Sequence, residues 1–316
     1  MPKKELMSIY KFTEVITATL IVAIFLSCKA EDSYSSIAIP VEIKNGHIVS
    51  EYQFSDRLSG TIALESGFPK IVIDARFASE LLEKNKQLKK EDSDASIFTW
   101  GDEEPLSVDY ILAGGFEIFG KTIDTDILVV DLEDHYSWKN YDVIFPIKYF
   151  DSQVGFNLKD NLMTVGNDLI KDENDYQILD VFQDENVNGL AIESTFYVSD
   201  STGYTESISG NFLFDLGGAN ALYLNLNQSN VKEFVQNFQS IVLDPSKYAS
   251  NSSIDMKVLA PDKIRIEGFE VQNDYIVAIA IKKYGNADKY TGMIGIDFLK
   301  RYEFIFDFHR GRVYMK

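Results

Sequence analysis

Residues 59–67 read SGTIALESG and residues 209–217 read SGNFLFDLG, so the chain repeats one phrase at an offset of 209 − 59 = 150. Each copy opens on Ser-Gly, runs through four apolar or strand-favouring residues, and sets an acid two positions before a glycine. GFEI from Gly115 returns as GFEV from Gly268, an offset of 268 − 115 = 153, and each leads into an apolar run, DILVVDL or YIVAIAI. YDVIFPIKYFDSQVGFNL from Tyr141 matches YTGMIGIDFLKRYEFIFD from Tyr290 at 290 − 141 = 149. Three matches in one order at nearly one offset describe an internal duplication. The halves span about 40–170 and 171–316, and they are expected to meet about an approximate twofold axis.

Both halves read as short strands punctuated by turns such as Gly114-Gly115, Asn273-Asp274 and Arg310-Gly311. The 22 Phe and 17 Tyr point the same way. Helical periodicity is confined to ARFASELLEKNKQLKK from Ala75 and SNVKEFVQNFQSIV from Ser229. In the second, Ser229 reads as an N-cap, and Val231, Phe234, Val235 and Phe238 share one face. KRYEFIFDFH alternates as a half-buried strand does, with Asp297 and Asp307 as surface or turn acids. The acidic stretch IKDENDYQILDVFQDENVNG between the halves reads as a linker or an exposed strand pair. The expected architecture is mostly β, with two homologous lobes and few short helices.

A twofold axis brings equivalent positions together, so Glu65 and Asp215 are expected to face each other across a cleft. Two carboxyls about 3 Å apart cannot both ionise and come to share a proton. One then serves as general base on a trapped water while the other, protonated, polarises a carbonyl. That chemistry needs no cofactor and no metal, which suits a chain whose His47, His135 and His309 are not spaced as ligands. No Gly-x-Ser-x-Gly elbow supports a serine nucleophile, and nothing is spaced to activate Ser66. Ser66 reads as a loop-stabilising hydroxyl, and Gly67 and Gly217 as backbone freedom for the two loops. A formal charge of −19 with no dense basic cluster argues against a nucleic-acid partner.

The motif Leu213-Phe214-Asp215-Leu216-Gly217, with Met293-Ile294-Gly295 inside TGMIGIDFLKRYEFIFDFHRGRVYM, resembles the aspartic peptidases of the retropepsin and pepsin type. Through the duplication, the resemblance covers nearly the whole chain after its first segment. It implies two lobes, a catalytic carboxyl pair at Asp215 and Glu65, loop support from Ser66, Gly67, Leu216 and Gly217, and a peptide or protein ligand in the groove. Three positions depart from it. Glu65 stands where the family has Asp, Leu216 replaces a hydroxyl that bonds across the lobes, and Pro146 replaces glycine in Ile144-Phe145-Pro146. Proline fixes φ and removes an N–H, so that strand is expected to run differently under Glu65. Two readings follow: an endopeptidase with acid-favoured cleavage abolished by Asp215→Asn, or an inactive relative that binds extended peptides or a protein partner through strand pairing. Trp100 and Tyr110 fall where a substrate-covering flap is expected.

The first segment points to export. Lys3, Lys4 and Lys11 precede the apolar run ITATLIVAIFLS, which ends at Cys28, as in a secretory signal peptide. Phe25-Leu26-Ser27-Cys28 resembles a bacterial lipobox, which implies lipidation at Cys28, and residues 29–39 read as a tether. No other cysteine is present, so disulfides are not expected. The expected location is the bacterial cell envelope, anchored in the membrane through lipid.

Overall fold

The strand Leu58–Glu65 carries the first copy of the repeated phrase. It pairs antiparallel with His47–Ser55 and, along its last four residues, parallel with Val143–Pro146. From there the sheet passes through Val72–Asp74, Ile127–Val130, Tyr110–Ala113 and Lys89–Glu91. The second copy, in the strand Thr205–Phe214, sits in the same pattern. It pairs antiparallel with Gly189–Ser199 and parallel with Gly292–Ile294, and the sheet continues through Leu222–Asn225, Ile276–Ile279, Met256–Leu259 and Val242–Leu243. The alternation of parallel and antiparallel steps is identical in the two lobes. This computed structural model describes residues 36–97, 105–133, 135, 138–184, 189–238, 242–243, 256–280 and 289–316. Cys28, the rest of the signal segment, most of the tether and Trp100 lie outside the described residues.

The middle sequence match is corrected. Phe116–Ile118 and Lys121–Ile123 form a hairpin about a left-handed turn at Phe119-Gly120, and Lys263–Ile266 and Phe269–Gln272 form another about Glu267-Gly268. The turns are equivalent, so the true offset is 267 − 119 = 148. GFEI lies on the first arm of one hairpin and GFEV on the second arm of the other.

A six-stranded sheet joins the halves in the order Ile37–Pro40, Leu162–Gly166, Gln153–Asn157, Phe304–Asp307, Arg312–Met315, Gln177–Asp180. Its central step pairs Val154 with Phe306 and Phe156 with Phe304, and the rings of Phe156 and Phe304 stack at 5.0 Å. Phe304–Asp307 is therefore buried on both faces, not half-buried as its alternation suggests. Asp307 is 2% exposed and accepts hydrogen bonds from Gln153 Nε2 and the Arg310 amide, so it is an interior acid rather than a surface one. The acidic connection between the halves contributes the edge strand Gln177–Asp180.

The helix Ala75–Lys84 follows Asp74, whose side chain accepts from the Arg76 amide, a cap worth about 1 kcal/mol. Its equivalent, Ser229–Asn237, begins at Ser229; the N-cap position is Gln228, with no side-chain cap, so Ser229 is the first helical residue. Val231, Phe234 and Phe238 are buried on one face as the periodicity requires. A third helix, Ile296–Leu299, follows Gly292–Ile294, and the 3-10 turn Ile147–Phe150 holds the same place after Val143–Pro146.

Strand alternation gives the N-terminal lobe two packed faces. Ile62, Leu64, Val143 and Phe145 enter the large core shared with the six-stranded sheet. Val49, Ala63, Val72 and Ile144 enter a smaller one closed by Phe68, Ile97, Val108, Trp138 and Tyr141. Both strands that carry the repeated phrase thus end in apolar surroundings, with Glu65 as the last residue of one and Asp215 as the residue after the other.

Candidate active site

Glu65 closes its strand, paired with Pro146, and Asp215 follows Phe214 with its amide donating to the Ile294 carbonyl at 2.9 Å. The loops beyond them touch across the lobes. Ser66 Oγ donates to the Phe214 carbonyl at 2.8 Å and accepts from the Leu216 amide at 2.9 Å. The twofold-related pair of bonds would need a hydroxyl at Leu216. Instead the Leu216 side chain is fully buried in the main core, so the tie between the loops is one-sided. Gly67 packs against Leu213 of the opposite lobe, where a Cβ on Gly67 would lie 3.3 Å from Leu213 Cδ2. Ala219, on the Asp215 loop, stands against Gly46 in the turn that precedes His47.

Gly217 is the meeting point. Its amide donates to Asp215 Oδ1 at 3.0 Å. From the other side the Glu65 carboxyl reaches over it, so that a Cβ on Gly217 would fall 2.1 Å from Glu65 Oε1 and 2.8 Å from Oε2. The extra methylene of Glu65 carries its carboxyl across the lobe boundary onto the opposite loop. Glu65 is 2% exposed, whereas Asp215 keeps partial contact with solvent.

Pro146 leaves strand pairing intact: Val143–Pro146 runs in register beside Ile62–Glu65, where a different course was expected. What differs is the loop packed against it. In the C-terminal lobe the Gly295 amide donates to the Ala221 carbonyl, and the Ile296 amide donates to the Gly218 carbonyl at 2.7 Å. A Cβ on Gly295 would lie 2.0 Å from the Asn220 carbonyl oxygen. Pro146 has a Cβ and no N–H, so the Glu65 loop cannot pack as closely.

Burial dominates the electrostatics. It pushes the Glu65 carboxyl up to about 8, against a weaker pull from the Ser66 backbone. Burial and then the Glu65 charge push Asp215 up to about 7, while the Gly217 amide and His47 draw it down. Desolvation of a carboxylate favours its neutral form.

His47, which sequence spacing did not single out, is the third polar group here. Burial pushes its imidazole down to about 4, against the pull of Asp215. Its ring lies 4.5 Å from that of Trp138 and 5.3 Å from that of Tyr141. Tyr110, expected near a flap, is instead a buried strand residue with Lys90 Nζ 3.9 Å above its ring. Ser96–Ile97 and Leu106–Ser107 pair antiparallel. Among the described residues no group of three or more His, Cys, Asp or Glu side chains is arranged to hold a metal ion.

No protein-family model matches the chain, and no curated protein matches it. Among solved structures it is similar to the crystal structure of aspartic proteinase from Irpex lacteus, with a TM-score of 0.56 over 89% of this chain and 97% of that one, at 9% identity. A likeness at that identity concerns the fold alone. The chain has an aspartic-peptidase-like fold: mostly β, in two pepsin-like lobes.

Proposed function

We propose that the protein is an aspartic-type endopeptidase that hydrolyses peptide bonds between its lobes through Glu65 and Asp215. The observation that carries this reading is the junction at Gly217, where the two carboxyls converge on one residue and Ser66 ties their loops together. Asp215, the more exposed acid, takes a proton from water as the water oxygen attacks the peptide carbonyl carbon. Protonated Glu65 donates to the carbonyl oxygen; as the C–N bond breaks, Asp215 passes the proton it took from water to the leaving nitrogen and a hydroxyl of the tetrahedral adduct returns one to Glu65. Asp215 must be ionised and Glu65 protonated. With the two acids raised to about 7 and about 8, that state is most populated near neutral pH rather than in acid.

The test is hydrolysis of an unfolded protein substrate from pH 4 to 9. A maximum near pH 7–8, lost in Asp215→Asn and in Glu65→Gln, supports the peptidase. A second reading is favoured by the near-complete burial of Glu65 together with Leu216 and Pro146: an inactive relative that binds extended peptides or a partner at the envelope. Peptide binding with no turnover at any pH selects it. On either reading the protein acts while lipid-anchored through Cys28, and Cys28→Ala releases it from the membrane fraction.

A further inference from the structure

Two buried side-chain atoms lack a hydrogen-bond partner among the described residues, His47 Nδ1 and Glu65 Oε1, and they face each other at 3.8 Å. A buried polar atom left unpaired is destabilising, so two such atoms pointed at each other call for a shared proton. His47 opens the strand His47–Ser55 just after the left-handed Asn45-Gly46 turn, with Lys44 as its cross-strand neighbour. Tyr141 fixes that turn by donating from its hydroxyl to the Lys44 carbonyl at 2.9 Å. The groups facing the imidazole are Glu65 from the adjacent strand, Asp215 from the opposite loop, and the Tyr141 and Trp138 rings from the 131–142 connection. The Lys44 side chain is exposed.

Which way the proton lies follows from the surroundings. His47 is 5% exposed and Glu65 2%, so a charged pair would lose the hydration of both ions for one contact at 3.8 Å. The neutral arrangement satisfies both orphan atoms with no buried charge. In it the Glu65 hydroxyl donates to Nδ1, and the imidazole keeps its own proton on Nε2. The hydrogen bond requires the carboxyl to turn toward Nδ1 from its 3.8 Å separation.

We propose that His47 is a positioning residue whose Nδ1 accepts a hydrogen bond from the protonated Glu65 carboxyl, which keeps the resting proton on Glu65 and leaves Asp215 as the group that ionises. The resting carboxyl pair is then unequal: Glu65 holds the proton and Asp215 ionises, and on the peptidase reading the Glu65 hydroxyl leaves Nδ1 to reach the substrate carbonyl oxygen. The consequence for hydrolysis rests on the peptidase reading above; the hydrogen bond does not.

Only three histidines are present, so the whole chain with 15N-labelled histidine gives a simple long-range 1H–15N spectrum, with His47 assigned by its loss in His47→Phe. The expected result is a neutral His47 in the Nε2–H tautomer from pH 5 to 7.5, with its Nδ1 signal moving toward that of a free acceptor in Glu65→Leu. A proton on Nδ1, or an imidazolium in that range, overturns the proposal. The tautomer of the unsubstituted chain decides this even where Glu65→Leu does not fold. In turnover assays His47→Phe frees the Glu65 proton to be shared with Asp215, so the ascending limb of the pH–rate profile moves down by about one pH unit. An unmoved limb also overturns it. Absence of turnover in the unsubstituted chain counts against the peptidase alone, and the tautomer still decides for or against His47.

Discussion

Gly217 shows what one methylene does when its end is buried. The Glu65 carboxyl occupies the space where any side chain at 217 would begin, and His47 and Tyr141 wall it in from behind. Gly217→Ala is therefore expected to destabilise the protein by about 1–3 kcal/mol, since the displaced carboxyl has nowhere unstrained to go. Glu65→Asp draws the carboxyl back and should restore much of that loss in the double variant. Denaturant unfolding of the four proteins should give a coupling of about 1–3 kcal/mol, and additivity would refute the contact. The sequence marks Glu65 as too long for an Asp site, but its reach onto the facing loop depends on side-chain torsions and on the interlobe distance, which spacing does not encode. The same holds for His47. It begins an unremarkable strand, His-Ile-Val, and becomes part of the site only because an Asn-Gly turn places it beside Glu65 and Trp138.

At the level of elements, the two lobes treat one position in opposite ways. The backbone of Gly218 and Asn220 closes directly over Gly295, so a β-carbon there meets carbonyl oxygens at 2.5 and 2.0 Å rather than a side chain that could move aside. Gly295→Ala should cost about 3 kcal/mol or more in denaturant unfolding, beyond the usual overpacking penalty, because backbone must shift. Pro146→Ala, at the equivalent position, should cost about 1 kcal/mol, since a Cβ is already accommodated there. Equal costs would mean that the lobes share one loop packing after all. The apolar-apolar-Gly element and the strand ending in Asp215 were legible because their spacing reports which strands lie side by side. The hairpin match was not. Gly followed by alternating apolar and polar residues describes either arm of a hairpin equally well, so a sequence match cannot tell the arm before a turn from the arm after it.

Over the whole molecule, the six-stranded sheet takes strands from both halves and buries Phe156, Phe304 and Phe306 at their junction. The lobes should therefore unfold together, and a proton bound at the carboxyl pair should register in global stability. Glu65 and Asp215 have folded values raised to about 8 and about 7. Their contribution is complete below the unfolded carboxylate range and is lost as pH rises through those folded values. His47 is lowered to about 4, so its contribution is present above the unfolded imidazole value and is lost as pH falls toward 4. Between pH 8 and 7 the two carboxyls act almost alone. From 7 down to 5 His47 increasingly opposes them, one group against two. Stability should thus rise as pH falls from 8 to 5, by an amount on the order of a few kcal/mol and most steeply around pH 6.5–7, where both carboxyls are largely protonated and His47 opposes them only in part. Glu65→Gln, which stays neutral throughout, should flatten that slope, whereas His47→Phe should steepen its lower part. Chemical denaturation at half-unit pH intervals measures all three profiles. A wild-type profile that falls between pH 8 and 6.5 would show that the acids are hydrated rather than buried.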